Sequence, residues 1–279
     1  MGKLYLGTNQ ISDDPHDYPY TIDFQGGVEQ TRNLTSITSS DGYSYTAQPS
    51  SLYIGTNVTS IADGAIASTP LTSLIIPSSV TSIGGYGVAF NPLLTSLTLS
   101  DGLLSIGSGA FYLCTAITEI TIPDTVTSIA SYAFGGCSSL TSVNISEGVT
   151  SIGDYAFSDC VSLPSINIPD SVITIGNGAF QYCEAMTSIT IGNSVTTIEL
   201  YAFQLSALTN ITLPASVTAI GNFAFFDCSS LATINCLATT APTLGSNPFS
   251  GVAATQIHVP VGATGYGATY GGLTVRYDL

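Results

Sequence analysis

The sequence predicts an α/β repeat fold: a right-handed leucine-rich repeat solenoid of stacked short parallel strands and short helical or 3-10 turns. Three observations predict it. One residue pattern recurs from Leu71, Leu94, Ile117, Leu140, Leu163, Met186 and Leu208, and an eighth copy opens at Leu231. The steps are 23 residues, except for 22 from Met186 to Leu208, and a period of about 20–29 residues with Leu/Ile anchors marks such a solenoid. Ile-Gly, Ala-Phe and Cys recur at fixed offsets within the copies, as in Ile152-Gly153, Ala156-Phe157 and Cys160.

The elements of one coil follow from the copy at Leu140. Val143 and Ile145 alternate with Ser142 and Asn144, the period-two pattern of a short strand with one buried side. Ser146-Glu147-Gly148 is a turn, and other copies use Pro123-Asp124 or Pro169-Asp170 there. Val149 to Ile152 reads as a second extended piece. After Gly153 the sequence predicts a helical or 3-10 turn carrying Ala156 and Phe157, where small Ala beside large Phe lets coils nest. No copy can bury its own apolar side, so neighbouring coils must. Phe111, Phe134, Phe157, Phe180, Phe203 and Phe225 should form one column, and Ile83, Ile106, Ile129, Ile152, Ile175, Ile198 and Ile220 another.

The array occupies residues 49–236 and weakens towards its start, where Val88 and Asn91 replace the usual Phe and Cys. Residues 1–48 fit the repeat poorly and read as an N-terminal cap or attachment segment, although LYLGTN at Leu4 returns as LYIGTN at Leu52. Residues 237–279 lose the register and read as a C-terminal cap, with strands expected at Gln256–Pro260 and Thr274–Tyr277. The 22-residue copy at Met186 omits Cys and lacks one residue after Phe203, so a bend or bulge is expected there.

Composition excludes several function classes. Charged residues are 8% of the chain, against about 25% in ordinary globular proteins. Lys3, Arg32 and Arg276 are the only Lys or Arg residues against eighteen acidic ones, for a net charge of −15. Holding phosphates needs Lys or Arg, so nucleic acid and anionic lipid surfaces are excluded as partners. No run of about 18 apolar residues spans a bilayer, so no membrane insertion is expected. The opening MGKLYLGTNQISDD lacks the apolar core of a signal peptide.

The candidate sites are columns. Cys114, Cys137, Cys160, Cys183 and Cys228 share one place in the repeat. Parallel Cβ vectors on adjacent coils are poor disulfide geometry, so they read as a reduced packing ladder. Without accompanying histidines they do not suggest zinc. Asp101, Asp124, Glu147 and Asp170 share a turn position. A row of carboxylates can hold Ca²⁺, although Pro-Asp also simply suits a turn. Tyr86, Tyr132, Tyr155 and Tyr201 form a row interrupted by Gly109 and Gly178 and ending at Phe223, and it is the candidate ligand-binding row. Exposed Tyr offers large contact area at low entropy cost, with a hydroxyl for hydrogen bonding; the plainer alternative is that the rings fill surface. Ser96/Thr98, Glu119/Thr121, Ser142/Asn144, Ser165/Asn167 and Ser188/Thr190 face outward from the strands. That flat face suits carbohydrate, ice or self-association, or only solubility. Asn33, Asn57, Asn144 and Asn210 open N-x-[ST] sequons, meaningful only in a host that glycosylates them.

No catalytic constellation emerges. His16 stands in the acidic loop Asp13–Asp17 and His258 in the C-terminal segment, with no phosphate loop or nucleophile elbow. No catalytic residue and no cofactor is expected.

SIGDYAFSDCVSL and its sister copies resemble the BspA-like leucine-rich repeat family over about Pro49 to Cys236. PFSGVAATQIHVPVGATGYGATY is similar to that family's C-terminal cap, but is richer in Gly and lacks its usual Trp and Lys. The resemblance implies a non-catalytic adhesion protein, extracellular or at a cell surface, binding a host protein or glycan. The opening MGKLYLG looks like those of phage virion or tail-like particle proteins, which gives the alternative of a structural or receptor-binding virion component.

Overall fold

Strands of three or four residues are too short to bury an apolar side alone, and the chain solves this by stacking them. The computed structural model describes residues 3–6, 36–37, 51–55 and 58–279. The loop with His16 and the sequon residues Asn33 and Asn57 lie outside the described residues. The architecture is a right-handed parallel β-solenoid of about nine turns. Each coil contributes a two-residue strand such as Ser151–Ile152, and ten of these, from Ser36–Ile37 to Thr243–Leu244, form one parallel sheet. Its register runs Ile106, Ile129, Ile152, Ile175, Ile198, Ile220 and Leu244, so the Ile column of the sequence is a ladder rung for rung.

Each coil also contributes a longer strand, Ser142–Asn144 in the copy at Leu140. The longer strands stack less continuously, as parallel sheets broken between Leu99 and Glu119, between Asn144 and Ser165, and between Thr190 and Asn210. The last break falls in the 22-residue copy. There Ser206 takes the Cys place, and the residue is lost between Ser206 and Leu208. The short-strand sheet and the Phe stack run through that coil unbroken. The longer-strand side thus breaks at three coils, two of them of full length, so the 22-residue copy is not singled out there.

The helical turns are corrected: no helix occurs among the described residues. In the coil of Tyr132, the amides of Ala133, Gly135 and Cys137 close turns onto the carbonyls of Ala130, Tyr132 and Phe134. The amides between them, on Tyr132, Phe134 and Gly136, donate to Asp154, Ala156 and Ser158 of the next coil at 2.8 Å. A helix needs consecutive right-handed residues, and here two positions four residues apart have positive φ. One column holds Tyr86, Gly109, Tyr132, Tyr155, Gly178, Tyr201 and Phe223, with φ between 53° and 63°. The other holds Phe90, Leu113, Gly136, Asp159, Tyr182, Leu205 and Asp227, with φ between 55° and 72°. Left-handed backbone costs an L-residue roughly 1–2 kcal/mol. The repeat supports it by turning every second amide into an inter-coil hydrogen bond.

The core is a bundle of columns. Phe111, Phe134, Phe157, Phe180, Phe203 and Phe225 are fully buried, and successive rings stack 5.2 to 5.5 Å apart, nearly parallel. The stack continues to Phe249. Asn91, in the Cys place of the first full coil, is completely buried. Its side chain accepts from the amide and hydroxyl of Thr69 and donates to the carbonyls of Ile66 and Val88, which satisfies it.

Both ends extend the stack. Lys3–Leu6 pairs in parallel register with Ser51–Ile54, so the LYLGTN/LYIGTN echo marks two successive rungs. At the far end Gln256–Val259 stacks on Thr233–Cys236, and Leu273–Tyr277 on Gln256–Val259, with Thr269–Tyr270 folding back antiparallel. The two strands expected from the sequence in this segment are present.

Candidate recognition surface

The left-handed columns decide what the turn side presents. After Gly153, Ala156, Phe157, Ser158 and Cys160 are buried, while Tyr155 is half-buried and Asp159 exposed. The Tyr row therefore lies at the surface. Tyr86 is 45% exposed and Tyr132 37%, whereas Tyr155 and Tyr201 are half-buried. The row is not continuous. Tyr132 stacks on Tyr155 with centroids 4.9 Å apart, and Tyr201 on Phe223 at 5.4 Å. The rings of Tyr86 and Tyr155 lie across Gly109 and Gly178 of the coils that follow, so that a Cβ on either glycine would meet the ring at 2.5 Å or less.

Two residues outside the row complete a cluster. Phe90, from the second left-handed column, is nearly parallel to Tyr86 at 6.2 Å. Tyr112, the residue after the buried Phe111, meets Tyr86, Phe90 and Tyr132 edge-to-face at 6.2, 5.7 and 6.1 Å. Tyr86, Phe90, Tyr112 and Tyr132 line an open cleft of about 570 Å³. The gap between Tyr86 and Tyr132 exists because Gly109 carries no ring. Sequence reasoning missed Phe90 and Tyr112, which lie in other repeat columns. The available signal was their large size where sister copies have Gly136 and Asp159, or Gly135 and Ser158. Among the described residues, the hydroxyls of Tyr86, Tyr112, Tyr132 and Tyr155 make no hydrogen bond. The Tyr132 phenol is held above its ordinary pKa by burial, then by Tyr155, Tyr112, Tyr86 and Asp154.

Two carboxylates stand in the coils that flank the cleft. Asp63 and Asp154 occupy one column, a coil before Tyr86 and a coil after Tyr132. Each accepts the amide of the following coil, from Gly85 at 2.6 Å and Asn177 at 2.8 Å. Among the described residues the Lys and Arg residues stand at the two ends of the stack, Lys3 on the strand Lys3–Leu6 and Arg276 on the strand Leu273–Tyr277.

The other candidates fall elsewhere. Asp101, Asp124, Glu147 and Asp170 are exposed at the turns that follow the longer strands. Asp170 accepts the backbone amide of Asn193 at 2.7 Å, a turn-to-turn role. No group of three or more His, Cys, Asp or Glu able to hold a metal ion occurs among the described residues. The outward strand residues Ser96/Thr98, Glu119/Thr121, Ser142/Asn144, Ser165/Asn167 and Ser188/Thr190 are all exposed, on a different side of the coil from the cleft. All six cysteines are buried free thiols. Each column thiol donates to a carbonyl one coil back; for Cys160 this is Phe134 at 3.4 Å, and for Cys228 it is Phe203 at 3.0 Å. Burial pushes the thiols of Cys114 and Cys228 up to about 12 and about 11. His258 pairs with Asp278 at 2.9 Å among the C-terminal strands. These placements bring no nucleophile and base together.

A repeat with Ile-Gly, Ala-Phe and a buried Cys at fixed offsets matches the model of the BspA type leucine-rich repeat region. It does so in six copies, over residues 35–164, 88–208 and 150–268. The chain belongs to the BspA-type leucine-rich repeat family. This family and its solenoid are typically non-enzymatic. No curated protein sequence matches the chain. Among solved structures, it resembles a leucine-rich repeat protein from Bacteroides ovatus at a TM-score of 0.60 and 22% identity, covering 90% of this chain and 69% of that one. A leucine rich cell surface protein from Faecalibacterium prausnitzii matches at a TM-score of 0.49 and 25% identity, covering 91% and 71%. The first likeness is one of fold. Neither bears on a virion or tail-like particle. No helix among the described residues is long and apolar enough to cross a membrane.

Proposed function

We propose that this BspA-type protein is a non-catalytic recognition and adhesion module, acting outside the cell or at its surface, and that it presents the aromatic cleft of its turn side to a host protein or glycan. The observation that carries this reading is the placement of large aromatic residues where backbone strain makes them costly. Gly109, Gly136 and Gly178 occupy the same left-handed columns without that cost. Tyr86, Phe90 and Tyr132 therefore sit there for their rings, which are exposed, and among the described residues the Tyr86 and Tyr132 hydroxyls are unbonded. Rigid amphipathic rings at a surface are the usual anchors of recognition sites. Among the described residues, no nucleophile and base meet at the cleft.

The test is a screen of host extracellular proteins and glycans against the wild-type chain, Tyr132→Gly and Tyr112→Ser. Both substitutions place residues that sister coils already carry at those positions, so the coils should stay folded. Ligands captured by the wild type and lost by both variants are expected. Captured ligands that ignore both substitutions would move the contact surface elsewhere.

A further inference from the structure

We infer that the cleft lined by Tyr86, Phe90, Tyr112 and Tyr132 takes a cationic side chain, the Arg or Lys of a partner polypeptide. This inference rests on the recognition reading above and names its ligand class. Two features converge on a cation. The cleft wall is built of π-systems, and the quadrupole of an aromatic ring attracts ammonium and guanidinium groups within about 6 Å of its centroid. The Asp63 and Asp154 carboxylates stand in the coils at either end of the cleft, and the whole chain carries −15. A second copy of the chain is a poor occupant, since it would bring the same acidic charge. An acidic or phosphorylated partner is opposed for the same reason.

The ring arrangement supports an elongated planar cation. Tyr86 and Phe90 are within 10° of parallel, Tyr112 is within 5° of perpendicular to both, and Tyr132 is within 2° of perpendicular to Tyr112. A guanidinium can stack on one wall while its N–H groups reach phenol oxygens that are unbonded among the described residues. Tyr155 covers one face of Tyr132, and Tyr112 packs against three rings at once. A broad open platform for a sugar ring is therefore not what the cluster offers.

The test uses two blocked peptides, Gly-Arg-Gly-Arg-Gly and its citrulline counterpart, which has the same shape without the charge. Binding is followed through the tyrosine ring resonances of the full chain, labelled at tyrosine. The arginine peptide is expected to bind about tenfold more tightly than the citrulline peptide. Perturbations should fall on Tyr86, Tyr112 and Tyr132 and not on Tyr266 or Tyr270. The preference should persist at about 0.3 M salt, where long-range attraction to the net charge is largely screened. Tyr132→Gly and Tyr112→Ser should each remove most of it, whereas Asp170→Asn, on another side of the coil, should not. Equal binding of the two peptides, no binding of either, or a preference indifferent to both Tyr substitutions would overturn the inference. A neutral glycan bound in a Tyr112- and Tyr132-dependent way would overturn it while leaving the recognition reading intact.

Discussion

Tyrosines at the two ends of the stack are used in opposite ways. Near the C-terminus, Tyr266 and Tyr270 are 2% and 8% exposed, and their hydroxyls donate to the carbonyls of Ala238 at 2.7 Å and Pro242 at 2.5 Å. Tyr266 also meets the Cys236 thiol. On the turn side, Tyr86 and Tyr132 are exposed, carry positive φ and leave their hydroxyls to the solvent or a partner. The buried pair packs into the C-terminal coil and satisfies the Ala238 and Pro242 carbonyls. The exposed group does nothing comparable for the backbone; it holds rings in place at the expense of strain. A Tyr whose hydroxyl is bonded inside is part of the structure, and a Tyr in strained backbone with its hydroxyl unbonded is a presented group.

The widest break between inside and outside is expected at alkaline pH. Burial raises the Cys thiols above 9 and the Tyr266 and Tyr270 phenols above 10. A folded pKa above the unfolded one means that the native state holds the proton longer. The associated stability is complete below about pH 9 and falls as pH rises through the folded values. Circular dichroism should show cooperative unfolding in this range. Thiol reagents should find the cysteines protected at neutral pH and reactive after denaturation without reductant; disulfide-locked cysteines would refute the packing ladder. Next in size, Phe157→Ala in the middle of the stack should cost about 3–5 kcal/mol or break the array locally. Unchanged unfolding would mean that the column does not carry the core. Smaller again, Tyr266→Phe keeps the ring but orphans the Ala238 carbonyl, for about 1–2 kcal/mol in denaturant titration. The smallest effect belongs to Tyr132→Gly. Relief of left-handed strain opposes the loss of the ring stack, so stability should change by within about 1 kcal/mol. If Tyr132→Gly destabilised as much as Phe157→Ala, the turn-side rings would be structural, and the contrast between the two groups of tyrosines would collapse.

The core was legible because each coil repeats the same inward positions. Ile152, Phe157 and Cys160 could be assigned to columns by counting, and the columns stand where counting put them. The turn was misread as helical because Ala and Phe after Gly are compatible with a helix when one coil is considered alone. Only the neighbouring coil, by accepting the amides of Tyr132, Phe134 and Gly136, makes left-handed backbone tolerable for bulky residues. The same limit hid half of the cleft. Tyr86 and Tyr132 share a column and were found by alignment, but Phe90 and Tyr112 belong to two other columns and had no repeat signal to join them.

The sequence alone determined the period, the buried columns, the acidic charge and the outward hydroxyl rows, because these follow from residue type at fixed spacing. The tertiary structure decided which turn residues adopt positive φ and which rings from different columns meet. Those outcomes depend on inter-coil hydrogen bonds and on how far a side chain reaches across the stack, and neither is a property of any one repeat.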